Sequence, residues 1–191
     1  MSMETKLRGY TLKIMPDESP LNPRTDCDHL GTMLCWHRRY SLGDNNPYDT
    51  PKEFAESDTA KEMFVCLPVY MLDHSGLFFS VRDFNDPWDS GQLGIIYCTK
   101  EEAQKWYGKE DVSPDEAKRE LIAEVENYNE YMNGSWYGFS IEGLDGDVED
   151  SCWGFLYNGN MNDLIAEMKA CVSDEHHALF DKMVTSKAAC M

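Results

Sequence analysis

The chain has little positive charge. Of its 191 residues, 17 are Lys or Arg against 35 Asp or Glu, a formal net charge of −18. Binding to phosphate backbones needs clustered basic side chains, so direct nucleic-acid binding is not expected. Long apolar runs are also missing. The longest, around Met63–Leu72, is broken by Pro68 and falls short of the roughly eighteen residues a membrane helix needs. The start, Met1-Ser-Met-Glu-Thr-Lys-Leu-Arg, has no apolar stretch of the secretory kind. Seven scattered cysteines, an odd number, then read as reduced thiols, and the expected compartment is the cytoplasm. There is no Gly-rich phosphate loop, no Walker lysine, no Gly-x-Ser-x-Gly and no His-Glu-x-x-His, so no catalytic residue, metal or cofactor is expected from local motifs.

What is present supports a folded domain, with 42% hydrophobic and 12% aromatic residues. Tyr10, Leu12 and Ile14 alternate with polar residues as in a strand, and Leu30–Trp36 reads as a second. Between them, Pro16–Asp28 reads as a loop. Thr50-Pro51 opens a helix to about Ala60. Phe64–Leu72 and Leu77–Val81 flank a hairpin turn, with Gly76 expected to supply the positive φ. Leu93–Cys98, almost continuously apolar, reads as a central strand, and Lys100–Tyr107 as a helix. Ser113-Pro114-Asp115-Glu116 is a capping box for a helix to Met132, with Ala117, Leu121, Val125, Tyr128 and Met132 as its apolar stripe. Tyr137–Ile141 and Ser151–Tyr157 read as strands, and 162–171 and 173–189 as helices. Hairpins and helices are segregated, so the expected class is α+β: a single domain with a mostly antiparallel sheet and flanking amphipathic helices. Its core is expected over 1–157, with 158–191 a helical extension packed upon it.

The charge is unevenly spread. Residues 1–50 hold 7 acids and 6 bases, whereas residues 100–150 hold 15 acids and 5 bases. In the acidic segment, Glu116, Glu120, Glu124 and Glu130 are assigned to the solvent side of helix 113–132. Asp145, Asp147 and Glu149 fall in the following turn. Together they form a candidate surface for a partner protein with a basic face. That turn does not satisfy a calcium loop, because Asp150 stands where glycine is required.

The polar loops between apolar strands form a second candidate site. His37-Arg38-Arg39-Tyr40 is the only basic cluster, and paired arginines suit carboxylate or phosphate. Asp73-His74-Ser75-Gly76 and Pro87-Trp88-Asp89-Ser90-Gly91-Gln92 supply an imidazole, a stacking face and an amide. The candidate ligand residues are Arg38, Arg39, His74, Trp88, Asp89 and Gln92, with Asp150 beside them, for a small anionic, nucleotide-like ligand. Cys27-x-His29 and Cys35-x-His37 do not match a usual zinc spacing. Cys152 reads as a packed thiol, since no base or cation stands near it in sequence.

Several blocks occur together: Asp28–Asp44, Pro68–Gly76, Pro87–Tyr97, Tyr137-Gly138-Phe139 and Asp150–Phe155. On these the chain resembles a family of small proteins encoded by bacteriophages and other mobile elements, over about Tyr10–Phe155. His29 stands where that family pattern has Asn. The resemblance implies a context: an accessory protein acting by binding, with inhibition of a host defence protein through the acidic surface as the leading expectation. The other expectation is a protein that binds, sequesters or hydrolyses a nucleotide-like small molecule.

Overall fold

In the computed structural model, which describes residues 2–188, the chain is α+β with two four-stranded antiparallel sheets. The strands are β1 (Met3–Leu7), β2 (Tyr10–Pro16), β3 (Thr32–Cys35), β4 (Met63–Asp73), β5 (Leu77–Ser80), β6 (Ser90–Thr99), β7 (Trp136–Glu142) and β8 (Val148–Leu156). The helices are α1 (Pro51–Glu56), α2 (Asp58–Lys61), α3 (Lys100–Tyr107), α4 (Pro114–Asn133), α5 (Met161–Ala170) and α6 (His177–Ala188). No helix among the described residues is long and apolar enough to cross a membrane. Contacts divide the chain into two compact units, Met1–Pro20 with Gly134–Met191, and Leu21–Asn133.

The discontinuous unit holds the sheet β1-β2-β7-β8. Its first strand was not expected. It joins β2 through a two-residue turn, Arg8-Gly9, with φ of 54° and 93°. Two successive positive φ angles are what a tight hairpin of right-handed twist requires. Leu12 and Ile14 of β2 and Phe139 and Ile141 of β7 face one way and are fully buried. They belong to one cluster with Leu164, Ile165 and Met168 of α5 and Leu179, Phe180 and Met183 of α6. The helices beyond Tyr157 pack on the sheet, and the boundary expected at 157/158 lies inside this unit.

The continuous unit holds the sheet β3-β6-β4-β5, with β6 in a central position as its apolar run suggested. The expected helix over 51–60 is divided at Ser57, which ends α1 and caps α2 by accepting from Ala60 N. In the β4–β5 turn the left-handed residue is Ser75 (φ 59°), not Gly76 as expected. Helix α4 buries Ala117, Leu121, Val125 and Tyr128 against Met33, Val69, Met71, Phe79 and Ile96. Met132, expected in that stripe, is 36% exposed near the helix end.

Glu124 corrects the acidic-surface assignment: it is buried, not on the solvent face. At about 100° per residue it falls roughly 20° from Ala117, on the flank of the apolar stripe and still on the face turned to the core. Its carboxylate is met there by Arg24, whose side chain is 1% exposed. Arg24 Nη1 donates to Glu124 Oε2 at 2.7 Å, and Arg24 Nε donates to Asp44 Oδ1 at 2.8 Å. Leu30 N and Gly31 N donate to Glu124 Oε1 at 2.6 and 3.0 Å, and Met33 N donates to Asp44 Oδ2 at 2.7 Å. Burial penalises the guanidinium, but the two carboxylates outweigh it and the Arg24 pKa is raised. One cation and two carboxylates thereby pin the segment 22–46, irregular on either side of β3, to α4.

Glu116, by contrast, carries out the expected capping role. Ser113 N and Oγ donate to its Oε2 at 3.0 and 2.9 Å, and Lys109 Nζ donates to its Oε1 at 2.6 Å. The Lys109 bond first, then those from Ser113, lower its pKa from 4.5 to about 2. A carboxylate depressed on folding stabilises above its unfolded pKa and stops doing so as pH falls through the folded value. Glu116→Gln is therefore expected to lower the thermal midpoint at pH 6. The variant and wild-type midpoints are expected to converge as pH falls from about 4.5 toward 2. A difference that stays constant over that range would exclude the carboxylate as its source.

Candidate functional site

Topology brings three of the polar blocks together. Strands β3 and β4 both run antiparallel to the central β6. The ends of β3 and β4 and the start of β6 therefore lie at one end of the sheet. His37-Arg38-Arg39-Tyr40 follows β3, Asp73-His74-Ser75-Gly76 closes β4, and Pro87–Gln92 leads into β6. An open cleft of about 550 Å³ is lined by residues of all three, among them His37, Arg39, Asp73, Trp88, Asp89 and Gln92.

The turn after β3 is held from within. Trp36 N donates to Leu93 O at 3.0 Å, and Trp36 Nε1 to Tyr48 O at 3.0 Å. His37 Nδ1 accepts from Arg39 N at 3.3 Å and Tyr40 N at 3.2 Å. An acceptor Nδ1 places the proton of a neutral imidazole on Nε2, leaving that N–H as a donor. The His37 and Tyr40 rings stack at 4.9 Å, 6° from parallel. This fixed turn presents two arginines. Neither the Arg38 nor the Arg39 guanidinium has an ion-pair or hydrogen-bond partner among the described residues. The buried ion pairs of this unit are made by Arg24 instead.

The β6 side is equally ordered. Asp86 Oδ1 accepts from Asp89 N and Trp88 N, both at 2.9 Å, and these two bonds lower its pKa. The turn so formed displays Trp88, which is 90% exposed. An indole this open gains nothing from the core, and its face is free to meet a ligand. A register shift at Val69/Tyr70 lies beside Leu93. Bulges re-aim side chains at the ends of sheets, and here Leu93 is buried while Gln92 is exposed beside the cleft.

The carboxylates in the cleft have local partners. Asp89 Oδ2 lies 2.9 Å from His74 Nδ1, and the Tyr40 hydroxyl donates to Asp73 Oδ2 at 3.4 Å. His74 is exposed and meets the site through Asp89. Arg38 lines an adjoining open cleft of about 460 Å³ whose wall also includes His37 and Arg39. Asp150 is not part of this group. It sits on β8, paired with Ile141, in the other unit. Asp145, Asp147 and Glu149 lie in that unit too, exposed, whereas Glu116, Glu120 and Glu130 lie on α4. His37, Asp73 and Asp86 are additions to the sequence-derived set. Their signal was membership of the same loops, which residue type alone did not rank.

A further cleft of about 520 Å³ lies between residues 28–32 and α3. Two of its polar side chains serve the fold: Glu102 accepts from Thr99 N and Oγ1 in a capping box, and His29 Nδ1 lies 3.0 Å from Gly31 O. Two of the thiols are also uninviting. Burial, then Asp44, pushes the Cys35 pKa up to about 12, and burial pushes Cys98 up to about 11. Among the described residues, no group of three or more His, Cys, Asp or Glu side chains is placed to hold a metal ion. The chain matches no family model, no curated protein and no solved structure.

Proposed function

We propose that the protein binds and sequesters a small anionic, nucleotide-like ligand in the cleft at the end of the β3-β6-β4-β5 sheet. The observation that carries this reading is the meeting of Arg39, Trp88 and Gln92 in one open cleft, with the guanidinium unpaired among the described residues. Trp88 offers a face for an aromatic ring, and Arg39 a fork for an anion. The His37 Nε2–H adds a donor. Asp73 and Asp89 can accept from ligand hydroxyl or amino groups with the oxygens not already engaged by the Tyr40 hydroxyl and His74 Nδ1. A sequestering protein suits the phage or mobile-element context that the sequence resemblance implies. The acidic-surface alternative is weaker, because Glu124 is buried in the core and its remaining residues belong to two units.

Titration with nucleotides, followed by tryptophan fluorescence, tests the reading. Stacking on Trp88 is expected to quench part of the emission. Stacking of a base on an aromatic ring contributes about 1–3 kcal/mol, so Trp88→Ala should weaken binding about tenfold or more. The same variant should leave the thermal midpoint unchanged, since the ring is exposed. Wild-type emission and melting that respond to no nucleotide would refute the proposal.

A further inference from the structure

We infer that the ligand is an extended anion of the nucleoside polyphosphate class, seated across two clefts. This rests on the function proposed above and adds the ligand's length and polarity. The two clefts share His37 and Arg39, so the Arg38-Arg39 turn forms a common wall. The first has the Trp88 face and the two carboxylates, the equipment for a base and sugar. The second is lined by Arg38, Ser41, Asn45 and Asn46, polar side chains without a free aromatic face. The Tyr40 ring, also in its wall, stacks on His37. Asp44 is the one carboxylate in that wall, and it is engaged by Arg24 Nε at 2.8 Å and Met33 N at 2.7 Å. A phosphate chain entering there meets two guanidiniums without a partner among the described residues, and no uncommitted carboxylate. A monophosphate reaching only the first cleft would engage Arg39 alone. Each further phosphate directed into the second adds charge-assisted bonds from Arg38.

Calorimetric titration of the full chain with the four ribonucleoside monophosphates and the four triphosphates tests this. The triphosphate of the preferred base should bind at least tenfold tighter than its monophosphate. Arg38→Ala should abolish that preference while leaving monophosphate affinity within about twofold. Arg38→Lys should restore part of it, and inorganic tripolyphosphate should compete with the triphosphate in wild type. Equal affinity for both lengths, or a preference that survives Arg38→Ala, overturns the two-cleft seat while leaving the first-cleft function standing. Binding of none of the eight overturns both. An unchanged melting profile for each variant keeps misfolding out of the comparison.

Discussion

Replacing Arg24 with methionine is expected to cost the 21–133 unit about 3–5 kcal/mol, the loss usual when one partner of a buried ion pair is removed. Methionine retains much of the apolar stem and deletes the charge. Glu124 would then remain buried and Asp44 part-buried, holding only the bonds from Leu30, Gly31 and Met33 N–H groups. Those bonds do not replace the guanidinium, which donates to both carboxylates and to Gly31 O at 2.6 Å. Urea titration at neutral pH measures the loss, and hydrogen exchange locates it: amides of 24–46 and α4 should exchange faster. A double-mutant cycle with Glu124→Gln should be strongly non-additive, because the amide removes the charge that the missing arginine left unpaired. A cost below about 1 kcal/mol, the range of exposed pairs, would mean that water reaches the cluster.

That cluster also shows what the sequence could and could not reveal. The apolar stripe of α4 was legible from its spacing, yet Glu124 was assigned to the outside by residue type although its helical angle puts it inside. The same preference for type over position placed Arg24 in an ordinary loop. Pro20, Asn22 and Pro23 do make the backbone irregular there. Composition does not show that an irregular segment is pinned down by a charge supplied 100 residues later. Strand β1 escaped notice for a related reason. Met3-Glu4-Thr5-Lys6-Leu7 is short, its inner face includes a threonine, and its turn begins with Arg in place of the usual Asn or Asp. The candidate site was legible in outline because its three blocks stand at strand ends. Which ends coincide depends on strand order, and Leu34 pairing with Ile95 is not written in either segment alone. Asp150 was grouped with them by composition, and pairing separates it.

Phe180→Ala is the second large effect, expected to cost the discontinuous unit about 3–5 kcal/mol. Phe180 is fully buried in α6 and meets Phe139 of β7 edge to face, with centroids 5.4 Å apart. Truncation removes the ring from a cluster that includes Leu12, Ile14 and Ile141, so the cavity opens against β2 and β7 as well as within α6. Two outcomes separate two views of the C-terminal segment. If 158–191 is an appendage, only α6 amides lose protection and β2 keeps its own. If α6 completes the core, protection falls together in α6, Trp136–Glu142 and Tyr10–Pro16, the last over 160 residues from α6 in sequence. The close packing of Phe139 and Phe180 favours the joint loss, because the void left by the ring is shared between the sheet face and the helix.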